Sequence, residues 1–250
     1  YRDYVNAHWR ELSDRYQPSV LWSDIGYPAG VNVNELFAYF YNKTPDGAVN
    51  ERWAQSSRLL RTLVVIPGIR KVIDRYAARL WLQGQTTPAG VHHDFVTPEY
   101  TTFSEIREKK WECVRGIGKS FGYTRQEKPD DFLSVAKLVR LLADIVSKNG
   151  NLLLNVGPMP GGEIPAVQVD RIRGVGAWLA VNGDAIYGTR PWKRAEGRTA
   201  DGSEVRFTCK KDSLFAILME TPASPEVTIQ SLRAADGMRV ELLGCDKPLE

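Results

Sequence analysis

A helix that leads into a continuous apolar strand constrains the fold more than any other feature of this sequence. Residues 134–150, SVAKLVRLLADIVSKNG, place apolar side chains at helical spacing and end in lysine, asparagine and glycine, a common C-terminal helix signal. The run that follows, GNLLLNVGP at residues 150–158, is apolar on both faces, as in a parallel strand covered by helices. This pattern predicts an α/β fold with parallel strands.

The same alternation of helix and strand is predicted elsewhere in the chain. Helical spacing predicts three further helices, at residues 1–16, 36–41 and about 165–182. Short apolar runs predict strands at residues 19–24 and 48–53. A first helix with nothing before it and a last strand with no closing partner lead us to expect part of a longer protein.

The character of the sequence changes after Trp192. Residues 195–204, AEGRTADGSE, are polar and contain glycine, which is typical of a linker. Residues 205–220 then predict two strands joined by a Lys-Asp turn, and residues 226–232 and 238–244 predict two more. We expect the beginning of an antiparallel β-sandwich here.

Composition excludes several classes of function. Hydrophobic residues make up 43% and charged residues 25% of the 250 residues, which is ordinary for a globular protein. The net charge of +3 is too small to indicate nucleic acid as a partner. Three widely separated cysteines show neither a disulfide framework nor zinc spacing. No apolar run is long enough to predict a membrane span.

One segment, residues 55–91, is strongly basic. It has six basic residues against one acidic residue, Asp74, so it carries +5 and the rest of the chain −2. Its second half is amphipathic, with charged residues on one face and Ile69, Val72, Ile73, Tyr76 and Leu80 on the other. Such a helix can touch a membrane surface or a partner, but we favour a solvated helix docked on its own domain.

Two acidic residues are candidates for catalysis. In a parallel α/β fold, active sites gather at the carboxyl ends of the strands, where Asp24 and Arg52 lie, and Glu99 follows in a later loop. Two carboxylates at one rim suggest glycoside hydrolysis, with one acting as nucleophile and the other as general acid and base. Nearby aromatic residues that could stack on a sugar ring are Trp22, Tyr27, Trp53 and Tyr100.

Each candidate also has a structural interpretation. Asp24 would serve equally as the N-cap of the following helix. Glu99 would serve as a solvated surface charge, and Arg52 would pair with Glu51 or another surface acid. From spacing alone these alternatives stay open.

The residues His92, His93 and Asp94 resemble metal ligands at first sight. Adjacent histidines on a loop make a poor preformed site, and no third ligand has a clear spacing. We therefore expect hydrogen bonding at the rim and no metal.

Seven motifs follow one another along the chain: LWSDIGYP, AYFYNK, VNERW, DFVTPEY, GIGKSFGY, SKNGNLLLNVGP and NGDAIYGTRPW. Together they resemble glycoside hydrolase family 29, the retaining α-L-fucosidases, over nearly the whole chain except the basic segment. The resemblance implies that Asp24 is the nucleophile and Glu99 the acid/base. Trp22 and Arg52 would line the fucose pocket, and Phe121 would pack near the methyl group of the sugar.

The resemblance also implies the architecture and the activity. Residues 1–195 would form the C-terminal part of a (β/α)8-like (TIM-type) barrel with residues 55–91 as an insertion, and residues 196–250 would begin the β-sandwich. The expected activity is hydrolysis of terminal α-L-fucose from oligosaccharides or glycoconjugates, with retention of configuration and without a metal or organic cofactor. A homo-oligomer is compatible with the sequence. The alternatives are a fucose-binding module without turnover, an inert fragment, or an inverting glycosidase.

Overall fold

A computed structural model describes residues 1–55, 62–63, 65–82, 91–233 and 237–245 of the chain. The helices are α1 (Arg2–Tyr16), α2 (Val33–Lys43), α3 (Pro67–Leu82), α4 (Val135–Ser147) and α5 (Ala166–Asn182). The strands are β1 (Val20–Leu21), β2 (Ala48–Val49), β3 (Trp111–Gly116), β4 (Gly150–Asn155), β5 (Arg190–Arg198), β6 (Glu204–Lys210) and β7 (Ser213–Leu218). Within these residues, no helix is both long enough and apolar enough to cross a membrane.

The chain divides into two compact units, and the first contains residues 1–101 and 109–112. Its strand pairs are short and parallel. Val20 pairs with Ala48, and further along the chain Asn50 bridges to Phe95 and Val96 bridges to Trp111, all in parallel. The mixed α/β class and the parallel pairing predicted from the sequence are confirmed for these segments.

The core of the first unit forms around Trp53, which is fully buried. The rings of Trp9, Phe37 and Tyr27 lie 4.8, 5.1 and 5.7 Å from it, centroid to centroid. Further buried members of this cluster are Leu21, Val33, Leu36, Phe40 and Val49. Burial of so many large aromatic rings stabilises the strand ends that carry the candidate catalytic residues.

The second unit contains residues 102–108 and 113–250. Strands β3 and β4 form a two-stranded sheet, and the Ile117 amide donates to the carbonyl oxygen of Asn155 at 3.0 Å. The N-cap of helix α4 is Ser134, whose hydroxyl accepts a hydrogen bond from the Lys137 amide at 3.3 Å. Strands β5, β6 and β7 form an antiparallel sheet in that order.

Several local predictions need correction. Residues 195–198, expected in a linker, form the end of β5, because their backbone pairs with β6. Residues 226–232 contribute only a bridge between Ile229 and Thr199, and residues 238–244 form no strand in the part of the chain that the structure describes. In β4, Leu153 remains exposed, so burial on both faces is wrong there.

The helices also differ in detail from their sequence patterns. Helix α1 is confirmed, but Val5 and Trp9 pack against the core while Tyr4, Leu12 and Tyr16 stay exposed. Helix α3 is confirmed within the basic segment, although Val72 and Tyr76 of its apolar face are exposed. Arg58 and Arg61 lie outside the described residues, as do the side chains of Arg79 and Leu80.

Candidate active site

The loop that follows β1 carries Asp24 and is held by a side chain of the neighbouring strand. The Ser23 amide donates to the Oδ1 atom of Asn50 at 2.9 Å, and the Nδ2 atom of Asn50 donates to the Ser23 carbonyl oxygen at 2.7 Å. Both residues are buried. The side chain of Asn50 therefore replaces the next rung of the strand ladder and fixes the backbone directly before Asp24.

Gly26 lets the chain turn sharply after Asp24. Its φ angle is +95°, a conformation that side chains with a Cβ atom rarely adopt. A Cβ atom at this position would lie 2.4 Å from the carbonyl oxygen of Ala54. That oxygen accepts a hydrogen bond from the Tyr27 amide at 3.1 Å, so the turn is anchored to the chain beyond β2.

Arg52 joins the two candidate catalytic carboxylates. Its Nη1 atom lies 3.0 Å from the Oδ1 atom of Asp24 and 2.6 Å from the Oε1 atom of Glu99. Since both oxygens contact the same nitrogen, their separation cannot exceed the sum of those two distances, 5.6 Å. The side chain of Asp24 is 67% exposed and that of Glu99 25%, so both remain accessible from solvent.

The rest of the Arg52 guanidinium is bound to Thr97. The Nε atom of Arg52 donates to the Thr97 hydroxyl at 2.7 Å, and its Nη2 atom donates to the Thr97 carbonyl oxygen at 2.6 Å. Arg52 is only 9% exposed. A buried guanidinium with partners on both sides is fixed in orientation, because rotation would leave several donors unsatisfied.

Trp22 forms one wall of this cluster. The Cζ atom of Arg52 lies 5.2 Å from the centre of the Trp22 ring, within the range of a cation–π contact. The indole Nε1 atom donates to the Oε1 atom of Glu112 at 3.0 Å. Glu112 is held beside the site because its amide donates to the carbonyl oxygen of Val96 at 2.8 Å.

The structure thus brings together four of the five predicted site residues: Trp22, Asp24, Arg52 and Glu99. The fifth, Phe121, belongs to the second unit, where it is half-buried and its carbonyl oxygen accepts a hydrogen bond from the Nδ2 atom of Asn155 at 2.6 Å.

The aromatic residues predicted to face a sugar divide into two groups. Tyr27 and Trp53 are buried in the core of the first unit, so that prediction is wrong for both of them. Trp22 is half-buried, and Tyr100 is 39% exposed with a φ angle of +50° directly after Glu99. Trp22 and Tyr100 therefore have exposed surface that a ligand can contact.

The structural interpretations of Asp24 and Glu99 are wrong, whereas that of Arg52 holds in part, because Arg52 pairs with an exposed acid, Asp24. The N-cap of α2 is Asn32, not Asp24. The side chain of Glu99 is 25% exposed, and its Oε1 atom accepts a hydrogen bond from the Nη1 atom of Arg52. Arg52 is not a surface cation, and Glu51 is a buried acid whose carboxylate accepts a hydrogen bond from the Thr97 amide at 3.0 Å.

The residues near the two histidines form a hydrogen-bonded cluster, as predicted. The Tyr41 hydroxyl lies 3.0 Å from the Nε2 atom of His92 and donates to Asp94 at 2.5 Å, while Asp94 also accepts from the Val49 amide at 2.7 Å. Burial raises the pKa of the Tyr41 phenol, and the hydrogen bond to Asp94 raises it further. Among the described residues, no group of three or more potential ligands has the arrangement of a metal site.

Sequence reasoning missed three residues that hold the site together: Asn50, Thr97 and Glu112. Asn50 and Thr97 lie in the VNERW and TPEY motifs, which drew attention to other residues. Their polar side chains at strand ends were an available signal, because a buried polar group at such a position must have a partner.

Comparison with known proteins identifies the family. A family model described as α-L-fucosidase matches residues 1–184 of the chain. The chain belongs to the α-L-fucosidase family. It thereby joins glycoside hydrolase family 29, in agreement with the resemblance seen in its motifs.

Curated relatives carry the same name. An α-L-fucosidase of Branchiostoma floridae is 34% identical to the chain over 256 residues, which cover 100% of the chain and 50% of the relative. The human plasma α-L-fucosidase is 35% identical over 249 residues, covering 96% and 46% respectively. The chain therefore spans about half the length of the curated fucosidases that it matches.

Solved structures of the family also match. The Thermotoga maritima α-fucosidase is 41% identical, with a TM-score of 0.73 over 95% of the chain and 47% of that protein. The same fucosidase in complex with fucose is 40% identical, with a TM-score of 0.72 over 94% of the chain and 46% of that protein.

Proposed function

We propose that the protein containing this chain is a retaining α-L-fucosidase that removes terminal α-L-fucose from oligosaccharides or glycoconjugates. Membership of the family supports the substrate class. One observation carries the mechanism: Asp24 and Glu99 share the Nη1 atom of Arg52, so their nearest oxygens lie within 5.6 Å. Retaining glycosidases hold their two carboxyl groups about 5–5.5 Å apart, whereas inverting enzymes need about 6.5–9.5 Å to admit a water molecule.

Asp24 is the proposed nucleophile. Its carboxylate attacks the anomeric carbon of the fucoside while the bond from that carbon to the leaving oxygen breaks, which gives a covalent glycosyl-enzyme ester. Glu99 donates its proton to the leaving oxygen. In the second step Glu99 removes a proton from water, the water oxygen attacks the same carbon, and the Asp24 carboxylate is released with the original configuration restored at the sugar.

Arg52 and the aromatic residues prepare the site for this chemistry. The guanidinium of Arg52 places a fixed positive charge against Asp24 and stabilises the carboxylate that must attack. The half-buried Trp22, which lies against Arg52, is assigned to contact with the apolar face of a sugar. We assign Phe121 to contact with the methyl group of fucose, by its match to the family motif.

The finer architecture is part of the same proposal. The parallel pairs of the first unit and the sheet of β3 and β4 support a (β/α)8-like barrel, of which residues 1–195 would be the C-terminal part with residues 55–91 as an insertion. The antiparallel sheet of β5, β6 and β7 supports a β-sandwich over the predicted residues 196–250, with its first strand beginning slightly earlier, at Arg190.

The test compares the wild-type protein with Asp24→Ala and Asp24→Gly on a chromogenic aryl α-L-fucoside. Loss of the nucleophile should lower kcat by at least about 10³-fold. Azide should restore part of the turnover of Asp24→Gly and give the β-fucosyl azide, because a small anion can occupy the vacated space. The matched control is Asp184→Ala, which removes an equally exposed aspartate paired with Lys210 at 3.0 Å.

Three results would contradict the proposal. Turnover by Asp24→Ala at the wild-type rate would remove its assigned role. Fucose binding by calorimetry without release of the aryl group would indicate a binding module or an inert fragment. A β-fucose product formed first, detected by proton NMR, would indicate inversion.

A further inference from the structure

A buried threonine connects Arg52 to a second buried acid. Thr97 is fully buried and Glu51 nearly so. The Thr97 amide and hydroxyl both lie 3.0 Å from the Oε1 atom of Glu51, and the hydroxyl lies 3.0 Å from its Oε2 atom as well. The same hydroxyl and the Thr97 carbonyl oxygen are the acceptors for Nε and Nη2 of Arg52.

Glu51 determines which way the hydroxyl of Thr97 points. A carboxylate can only accept, so the hydroxyl must donate its proton to Glu51. The hydroxyl oxygen then presents its lone pairs to Arg52, which can only donate. Each hydrogen bond from Glu51 through Thr97 to Arg52 therefore has only one possible donor and one possible acceptor. Reversing any of them would leave a buried donor or acceptor unsatisfied.

This arrangement aims one nitrogen of Arg52 at the catalytic pair. Two donors on one edge of the planar guanidinium, Nε and Nη2, are bound to Thr97, so the two N–H bonds of Nη1 are left pointing at Asp24 and Glu99. Thr97 also lies two residues before Glu99, so its anchor fixes the backbone that carries the acid/base. Small displacements of catalytic groups are costly, because the reaction needs close alignment of the reacting atoms.

We propose that Thr97 and Glu51 are positioning residues of the active site, acting through Arg52. This inference rests on the proposed fucosidase function and assigns neither residue to contact with the sugar. It predicts that their side chains affect the rate of reaction more than the binding of substrate.

The test is a double-mutant cycle measured with an aryl α-L-fucoside on the same protein. Thr97→Val keeps the shape of the side chain and removes the acceptor for Nε, so kcat should fall roughly 10- to 100-fold, as for a lost hydrogen bond to a charged group. KM should change less than about threefold, because ground-state binding is retained. Thr97→Ser should restore most of the lost rate.

The second half of the cycle repeats the measurement in an Arg52→Lys background, which lacks the planar guanidinium group. In that background Thr97→Val should change kcat less than about threefold, because the group on which Thr97 acts is gone. The matched control is Thr208→Val, another fully buried threonine, whose hydroxyl donates to the Ala185 carbonyl oxygen at 2.7 Å. Its effect on kcat should be small and equal in both backgrounds.

The outcomes separate this inference from the proposed function. If the wild-type protein releases no aryl group, the fucosidase proposal fails. If it does, a folded Thr97→Val with wild-type kcat overturns the inference, and so does an equal loss in the Arg52→Lys background. Should thermal unfolding show that Thr97→Val does not fold, Glu51→Gln takes its place, and it must lower kcat roughly 10-fold with KM retained.

Discussion

The side-chain amide of Asn50 forms hydrogen bonds with both backbone polar groups of Ser23. This reciprocal pair extends the contact between the first two strands by one position beyond their backbone ladder. It also explains how a carboxylate can lie so close to the buried Leu21: the Ser23 backbone is satisfied inside the protein, and the Asp24 side chain is left outside.

Replacement of Asn50 by alanine should therefore destabilise the protein and displace Asp24. Two buried backbone groups would lose their partners, and we expect a loss of about 2–4 kcal/mol in the free energy of unfolding. Urea denaturation measures it. The control Asn182→Ala removes a single hydrogen bond, to the Trp178 carbonyl oxygen, and should cost less than about 1 kcal/mol. Equal losses for both variants would contradict this role.

Gly26→Ala should reduce both stability and activity. Gly162→Ala is a close control, because Gly162 has a φ angle of +89° but no neighbouring atom within 4 Å of the place that a Cβ atom would take. The strained backbone alone should cost about 1–2 kcal/mol in each variant. The contact with Ala54 adds to that cost only at Gly26, and the shift of Asp24 should lower kcat/KM at least about 10-fold. Identical kinetics for both alanine variants would show that the turn does not position Asp24.

An ion-pair network in the second unit should contribute strongly to stability. The Oδ1 atom of Asp144 lies 2.7 Å from both Lys148 Nζ and Arg206 Nε, and these two cations are almost completely buried. Asp144→Asn removes their most buried anionic partner and leaves only the half-exposed Glu196 and Glu204, so we expect a loss of about 2–3 kcal/mol in the free energy of unfolding. Glu11→Gln, which breaks an exposed pair with Arg15, should cost less than about 0.5 kcal/mol. A loss for Asp144→Asn as small as for the control would contradict the prediction.

Tyr41 should make stability fall at alkaline pH. Burial, followed by the hydrogen bond to Asp94, raises the pKa of its phenol above the usual 10.0. A raised pKa in the folded state means that the contribution of Tyr41 is fully present below the unfolded pKa. It is lost as the pH rises above about 10, because the unfolded chain then ionises first.

The measurement is urea denaturation from about pH 8 to about pH 11 of the wild type, Tyr41→Phe and Tyr16→Phe. The Tyr41→Phe variant should show a flatter loss of stability above about pH 10 than the wild type. Tyr16 is exposed, so its variant should follow the wild-type curve. Parallel curves for all three proteins would exclude a special environment at Tyr41.

Asp24 and Arg52 became candidates because each ends a predicted strand, and the ends of parallel strands meet at one edge. Spacing alone left other interpretations open, and the resemblance to the family's motifs then assigned the roles of Asp24 and Glu99. The residues that hold these side chains in place could not be predicted from the sequence. Asn50 and Thr97 act through side-chain hydrogen bonds to residues 27 and 45 positions away, and such bonds have no characteristic spacing.

The spacing of apolar residues predicted correctly that the helices form. It predicted less well which face of a helix is buried and where the strands lie. In α1, Trp9 and Tyr16 are seven residues apart and so lie on the same face of the helix, and the pattern could not show that only Trp9 packs inward. Strand β5 ends in polar residues and a glycine, whose composition indicates a linker. Its pairing with β6 overrides that local preference, as tertiary context often does for strands.

The contacts between the chain segments on either side of residues 55–91 have a consequence for how the family can diversify. Asn50 bridges to Phe95 and Arg52 binds Thr97, so these two contacts join the flanking segments directly. The entropy of closing a loop grows only with the logarithm of its length. The segment between them is therefore a suitable place for sequence variation. It can be lengthened, shortened or exchanged while Arg52 keeps its contacts with both acids.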